Sequence, residues 1–253
     1  MVIHLLTNAS VLDSAASFQR NVYSIHGFGK ILPVIEWVFI FIPLLFHAIF
    51  GVVIIRGGLP NSSTYKYTSN VRYTLQRATG MIAFAFIMWH VFHMHGWFHA
   101  DWWMHNIAEP LGGGKFRAYA AASTGAEAIR MSPVIVPILY AIGVLSCVFH
   151  LANGIWTFGI TWGLWVTPQS QRRANYACAA FGILLGLVGL SALGGFAFQV
   201  DVDEARKVEE QMFKARLSSG EVTEDPHKLR KVEPEAGKET ASADKSIPPK
   251  TGD

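Results

Sequence analysis

Residues Pro133 to Trp162, PVIVPILYAIGVLSCVFHLANGIWTFGITW, run for thirty positions without an acid, a lysine or an arginine. As a helix this stretch rises about 45 Å, and the hydrocarbon core of a bilayer is about 30 Å thick. The run therefore exceeds one crossing, and it is expected to tilt or to continue as an interfacial helix, with Trp156, Trp162 and Trp165 at headgroup level. Working outward, three more runs have spanning length. Val34 to Ile55 holds one carboxylate, Glu36, near its start; Ala78 to Phe98 has several histidines but no acid, lysine or arginine; Tyr176 to Phe198 has no charge. The fold class read from these runs is an all-α integral membrane protein, a transmembrane helix bundle with four full spans.

Composition agrees. Of the 253 residues 51% are hydrophobic and 15% charged, with a mean hydropathy of +0.29, too apolar for an ordinary soluble domain. The charge is concentrated at one end: residues 201–253 hold 10 of the 21 Lys and Arg and 13 of the 18 Asp and Glu. Two cysteines, Cys147 and Cys178, both within apolar runs, exclude a disulfide framework and a zinc cluster. The absence of Cys-x-x-Cys-His excludes covalently attached haem. A net charge of +3 invites a nucleic-acid reading, but the basic residues sit in short loops between apolar runs and in a mixed-sign tail, which fits a membrane and not nucleic acid.

Arg56, Lys66, Arg72 and Arg77 lie in one connection without an acid, and Arg172 and Arg173 lie in the link Thr167 to Ala174, so both connections are expected on the cytoplasmic side. Three regions follow: 1–33, the end of a first helix plus an external loop; 34–200, the transmembrane bundle; and 201–253, a polar tail. The tail reads as a short helix through Leu217 and then a segment rich in Pro, Glu, Lys, Ser and Ala that cannot bury enough surface to fold, so deletion from about Leu217 is expected to be tolerated. Met1 to Leu6 is a short apolar stretch, neither a signal peptide nor a span. Four spans with basic loops inside would leave both termini outside, which leads to the expectation that a further helix precedes Met1.

Polar side chains inside a bilayer are costly and tend to be functional. His47, His90 and His150 each lie roughly 14 to 20 Å from the presumed inner boundary by helical rise. Phe46-His47-Ala48-Ile49-Phe50-Gly51 and Phe149-His150-Leu151-Ala152-Asn153-Gly154 share Phe-His followed one turn later by Gly. Small residues let a flat macrocycle lie against a helix, and a haem iron held by two neutral imidazoles on facing helices needs a nitrogen ligand, clearance and apolar walls. Gly51 and Gly154 also fit ordinary small-residue helix contacts, and depth alone does not say which histidines pair. His93, His95, His99 and His105, interspersed with Trp97, Trp102 and Trp103, read as an interfacial belt. A copper or zinc site there lacks a carboxylate or thiolate at a familiar spacing, Asp101 excepted.

Three stretches, Glu36 to Gly51 (EWVFIFIPLLFHAIFG), Leu75 to His90 (LQRATGMIAFAFIMWH) and Leu145 to Arg172 (LSCVFHLANGIWTFGITWGLWVTPQSQR), carry a resemblance. In them the chain resembles the dihaem cytochrome b membrane anchors of succinate:menaquinone oxidoreductases and the related fumarate reductases. The resemblance covers about residues 1–200 and implies five transmembrane helices enclosing two haems b, each held by two histidines. It implies that His47 and His150 hold the haem nearer the iron-sulfur subunit and that His90 holds the distal one, with His4 the only candidate for the fourth ligand. Because the family's first helix is nearly absent here, His4 is expected to lack a helix that would fix it opposite His90.

The resemblance further implies a plasma-membrane subunit that anchors a flavoprotein and an iron-sulfur subunit and exchanges electrons with a membrane quinone, menaquinone by type. The dicarboxylate chemistry would lie on the partners, since no dinucleotide fingerprint or cysteine cluster occurs here. Arg77 and Arg172, at cytoplasmic span ends, are candidates to pair with haem propionates or to serve as plain positive-inside anchors. Glu36 is a candidate proton carrier at a quinone site by the distal haem, or an interfacial carboxylate that reaches water. Two other readings stand beside this one: a cytochrome b of another quinone-linked complex, and a haem-free membrane protein with structural histidines.

Overall fold

The computed structural model describes residues 1–58, 64 and 67–230. Among the described residues three helices are long and apolar enough to cross a membrane, Gly29–Arg56, Ile135–Thr161 and Pro168–Gln199. The fourth expected span is the 28-residue helix Thr68–His95, about 42 Å long by its rise. It matches the others in length, while Arg72, Arg77 and three histidines dilute its hydropathy. Together these helices form the expected all-α bundle, with Thr68–His95, Ile135–Thr161 and Pro168–Gln199 packed in sequence order.

The span Gly29–Arg56 stands apart, with no buried residue in its most apolar stretch. Its π-helical turn Trp37–Phe41 precedes Pro43. A proline within a helix removes one N–H and crowds the carbonyl four residues back, here Phe39, so the wider turn absorbs that conflict.

The expected interfacial continuation after Thr161 does not form. Gly163, at φ 69°, reverses the chain, and the Trp165 indole N–H donates to the Trp156 carbonyl at 2.9 Å. Thr167 then caps the next helix reciprocally with Ser170, and Pro168 opens it, a start signal that extends the last span back through the link expected from Thr167 to Ala174.

The N-terminal apolar stretch is the helix Val2–Ala9. Its Leu5 is buried against Val148 and Leu185, which fastens it to the last two spans.

At the end of the bundle away from the basic connections lies a helical cap made of Ala15–His26, Ala121–Arg130 and Val202–Ser218. Phe18, Val22, Tyr119, Ala122, Ala126 and Ala205 form its core, with Phe213, Val222 and Leu229 against it. The helix Ala121–Arg130 has no side-chain cap of its own, and the first N–H groups of a helix need acceptors. Gln19 accepts from the Ala121 N–H at 2.8 Å and donates to the Ala118 carbonyl at 2.7 Å. Glu209, 2% exposed, accepts from the N–H groups of Ala122 and Ser123 at 2.6 and 3.0 Å and from the Ser123 hydroxyl.

The region read as a polar tail from residue 201 opens with the helix Val202–Ser218. Helix Val202–Ser218 and the segment to Arg230 belong to the folded body, because Glu209 caps a neighbouring helix, the Lys228 carbonyl accepts from the Tyr119 N–H at 2.9 Å, and Arg230 pairs with Glu127 at 3.0 Å. The charge count of this region hid one buried acid and one apolar stripe.

Truncation at Leu217 is therefore expected to destabilise the cap rather than to be silent. Glu209→Ala should cost about 3 kcal/mol or more, since it strands buried donors, and Glu209→Gln should cost less because it keeps an acceptor; denaturant titration of the detergent-solubilised protein measures both. Burial pushes the Glu209 carboxyl above its ordinary value of 4.5, against the pull of its donors from Ser123 and Ala122. Glu127 is held below 4.5 because hydrogen bonds from Arg230 and Arg206 outweigh its own desolvation. Protonating Glu209 therefore favours the cap as pH falls from neutrality, whereas the contribution of Glu127, present above 4.5, is lost as pH drops through its lower folded value. Amide exchange in Ala121–Arg130 should slow or hold toward pH 4.5 and quicken below it, relative to the intrinsic rate.

Candidate functional site

Two pairs of histidines from different helices meet. His47 of the first span faces His150 with ring centres 5.9 Å apart and planes at 79°. His4 of the N-terminal helix faces His90, also at 5.9 Å, with planes at 77°. His4 therefore has the helix it was expected to lack, held by Leu5 one residue on. Two imidazoles that share a metal through bonds of about 2.0–2.1 Å have ring centres about 6 Å apart.

The far nitrogen of each inner histidine is engaged. His150 Nδ1 lies 3.1 Å from the Gln76 backbone carbonyl. A carbonyl only accepts, so Nδ1 carries the proton and Nε2 keeps its lone pair. This approach depends on Gly80, one turn after Gln76, where a Cβ would come within 2.8 Å of His150 Cε1. The reverse contact crosses at Gly154, where Gln76 Nε2 donates to the His150 carbonyl at 3.2 Å and a Cβ would meet that nitrogen at 3.4 Å. Gly154 thus serves the contact between helices, while Gly51 has nothing within 4 Å of where its Cβ would lie.

At the other pair, His90 Nδ1 is 3.2 Å from the Tyr140 hydroxyl, and His93 Nδ1 is 2.9 Å from the same oxygen. His93 is buried and stacks on Trp89 at 4.9 Å with planes 7° apart. Of the belt read from sequence, His93 is therefore interior. Among the described residues no three of His, Cys, Asp and Glu are disposed to hold a metal ion.

A polar network continues toward the basic end. Asn153 is buried and donates to Gln76 Oε1 at 2.7 Å. Arg72 donates through Nε and Nη2 to Asn153 Oδ1 at 2.9 and 2.6 Å and through Nη1 to Asn175 Oδ1 at 2.6 Å. Its guanidinium lies 3.9 Å from the Trp156 ring, a stacking worth about 0.5–2 kcal/mol. Arg77 donates to the Tyr73 hydroxyl at 2.9 Å and to the Ile55 carbonyl, joining the first span to the bundle. Arg172 is exposed, and Glu36, half-exposed, has no hydrogen-bond or ion-pair partner among the described residues. Sequence reasoning missed Arg72, Gln76, Gly80 and Tyr140. The first three stand in or beside the quoted run LQRATG, whose polar letters inside a spanning helix are the signal that was available.

An all-α, multi-pass membrane protein whose spans bring two histidine pairs together beside a network of polar side chains is the class this fold and site define. The chain is 34% identical over 201 residues, 78% of its length and 88% of the relative's, to the succinate dehydrogenase cytochrome b558 subunit of Bacillus subtilis (strain 168). It belongs to the family of succinate dehydrogenase cytochrome b558 subunits, multi-pass proteins of the plasma membrane. No family model matches the chain, and no solved structure does.

The two glycine contacts should respond differently to a methyl group. Gly80→Ala drives a Cβ into a ring held on a rigid helix and should destabilise the pairing of Thr68–His95 with Ile135–Thr161 by about 1–3 kcal/mol, as overpacking does. Gly154→Ala meets only a flexible amide and should cost less. Thermal unfolding followed by circular dichroism ranks them.

Proposed function

We propose that the chain is the membrane anchor and electron-transfer subunit of a succinate:menaquinone oxidoreductase or fumarate reductase, binding a flavoprotein and an iron-sulfur subunit at its basic end and a membrane quinone within the bilayer. In this reading His47 and His150 hold one haem b, and His4 and His90 hold the other. The observation that carries it is the pair of equal His–His spacings, 5.9 Å each, with the inner ring of each pair fixed at Nδ1. The name of the Bacillus subtilis relative supports the complex and the b-type haem.

Bound there, the haems would supply one-electron transfer between an iron-sulfur cluster and the quinone. The chain's own part is ligation and spacing. The Gln76 carbonyl holds the His150 ring so that Nε2 is free to ligate. The open face at Gly51, one turn after His47, leaves clearance for a flat ring. Arg72 and Arg77, at the basic end, are placed to neutralise propionates, with Arg72 better suited than the exposed Arg172. Glu36, near the capped end of its span, passes protons between quinone and water.

The test is a reduced-minus-oxidised spectrum of the purified complex with haem counted per chain, expected at two. His47→Ala and His150→Ala should each remove the same haem, and His4→Ala and His90→Ala the other, because a six-coordinate iron loses its state when either imidazole goes. Colourless protein with intact helices, or partners that lose spectrally different haems, would overturn the assignment. Glu36→Gln should keep both haems and slow quinone turnover.

A further inference from the structure

The Tyr140 hydroxyl sits between two imidazole nitrogens, His90 Nδ1 at 3.2 Å and His93 Nδ1 at 2.9 Å. A hydroxyl has one proton to give. Only two neutral arrangements satisfy all three groups. In one, His90 Nδ1–H donates to the tyrosine oxygen and the hydroxyl donates to His93 Nδ1. In the other the order is reversed: His93 Nδ1–H donates, the hydroxyl turns to His90 Nδ1, and His90 must carry its own proton on Nε2.

Resting on the assignment of His90 as a haem ligand, we propose that Tyr140 and His93 are positioning residues that select the ligating tautomer of His90. Only the first arrangement leaves His90 Nε2 with a lone pair. Tyr140 is the acceptor that keeps the proton on Nδ1, and His93 is the acceptor that keeps the tyrosine hydroxyl from turning toward His90. The geometry holds the three groups together. Tyr140 and His93 are both buried, 6% and 1% exposed, and the His93 ring is clamped flat on Trp89. The peptide N–H of Lys115 donates to the His93 carbonyl at 3.0 Å, which ties this last turn of the helix to the returning segment. His93 Nε2 then carries a proton and has no partner among the described residues. An unpaired buried N–H is costly, and keeping a histidine there instead of an apolar side chain is accounted for by what its Nδ1 does for Tyr140. The two pairs thus use different locks: a backbone carbonyl, which can never donate, at His150, and a hydroxyl that needs a second histidine to fix its direction at His90.

The test uses the intact complex, with the His47/His150 haem as an internal control of folding. Tyr140→Phe removes the acceptor on His90 Nδ1. It should weaken retention of the distal haem about 10–100-fold, the usual cost of losing a partner of a ligating histidine, and raise the midpoint potential of the distal haem that remains, because a less basic imidazole favours the ferric state less. His93→Leu should lower distal occupancy in the same way, and His93→Gln, whose amide oxygen can accept from Tyr140, should restore it. Occupancy is read from haem per chain, ligation from the low-spin electron paramagnetic resonance signal, and potential from a spectroscopic redox titration. An unchanged distal signal and potential in Tyr140→Phe and His93→Leu, with His90→Ala still losing that haem, overturns this inference alone. Loss of both haems in either variant, or no rescue by His93→Gln, also overturns it, since that marks a packing role. If wild-type protein carries no haem that depends on His90, the ligand assignment itself fails.

Discussion

The hydrogen bond from His150 Nδ1 to the Gln76 carbonyl, 3.1 Å long, constrains more of this molecule than any other contact. The ring reaches this backbone acceptor because the side chain that would stand in the way, one turn further on, is missing at Gly80. Once His150 docks there, the register of Ile135–Thr161 against Thr68–His95 is set. Gly154 is then brought opposite Gln76, whose amide returns a hydrogen bond to the His150 carbonyl. In lipid such reciprocal bonds matter because apolar side chains gain little by exchanging lipid for one another. Packing between small residues and side-chain hydrogen bonds therefore decide how these two helices meet.

From that register the remaining polar groups fall into place. Asn153, three residues after His150, reaches Gln76 with its amide nitrogen and offers its oxygen to Arg72, which also takes Asn175 from the last span. Three helices are thus joined by one guanidinium that has neutral oxygens for partners. An arginine so placed keeps its positive charge uncancelled among the described residues, and that charge sits on the same side of the bundle as His150. The first span takes little part. Among the described residues its polar and ring links to the bundle include the Arg77 contact with the Ile55 carbonyl and the facing rings of His47 and His150.

The spans and their histidines were legible because length and hydropathy answer directly to the thickness of the bilayer. Which histidines meet was not legible from depth. Boundary uncertainty of a few residues shifts a ring by roughly 5 Å, and only the family resemblance paired them. The packing of the segment 201–230 was not legible for a different reason. Charged residues on one face of Val202–Ser218 swamp an average, although Ala205 and Glu209 are buried and Met212 and Phe213 pack against the cap core. Glu209 was unreadable in principle, since a buried acid that caps a helix 87 residues away leaves no local pattern. The N-terminal helix was not expected, because only the short apolar stretch Met1 to Leu6 stands where the family's first helix would lie; it is held by tertiary contact at Leu5 and not by its own length.

The cap and the two histidine pairs are connected by one chain of constraints. Where Thr68–His95 ends, its last carbonyls would lie open at the membrane surface. The segment Gly114–Phe116 answers them, with N–H groups donating to the carbonyls of Phe92, His93 and Met94 at 3.1, 3.0 and 2.9 Å. That segment leads directly into Ala118–Arg130, whose first N–H groups are held by Gln19 and Glu209. Gln19 lies on the helix that follows the His4 segment, and Glu209 on the helix that follows the last span. The order of the cap therefore determines how firmly the last turn of the His90 helix is fixed, and with it the burial of His93 beside Tyr140. This chain depends on such a closure at this end, because the ring that faces His4 is steadied by a side-chain hydroxyl and not by a backbone carbonyl.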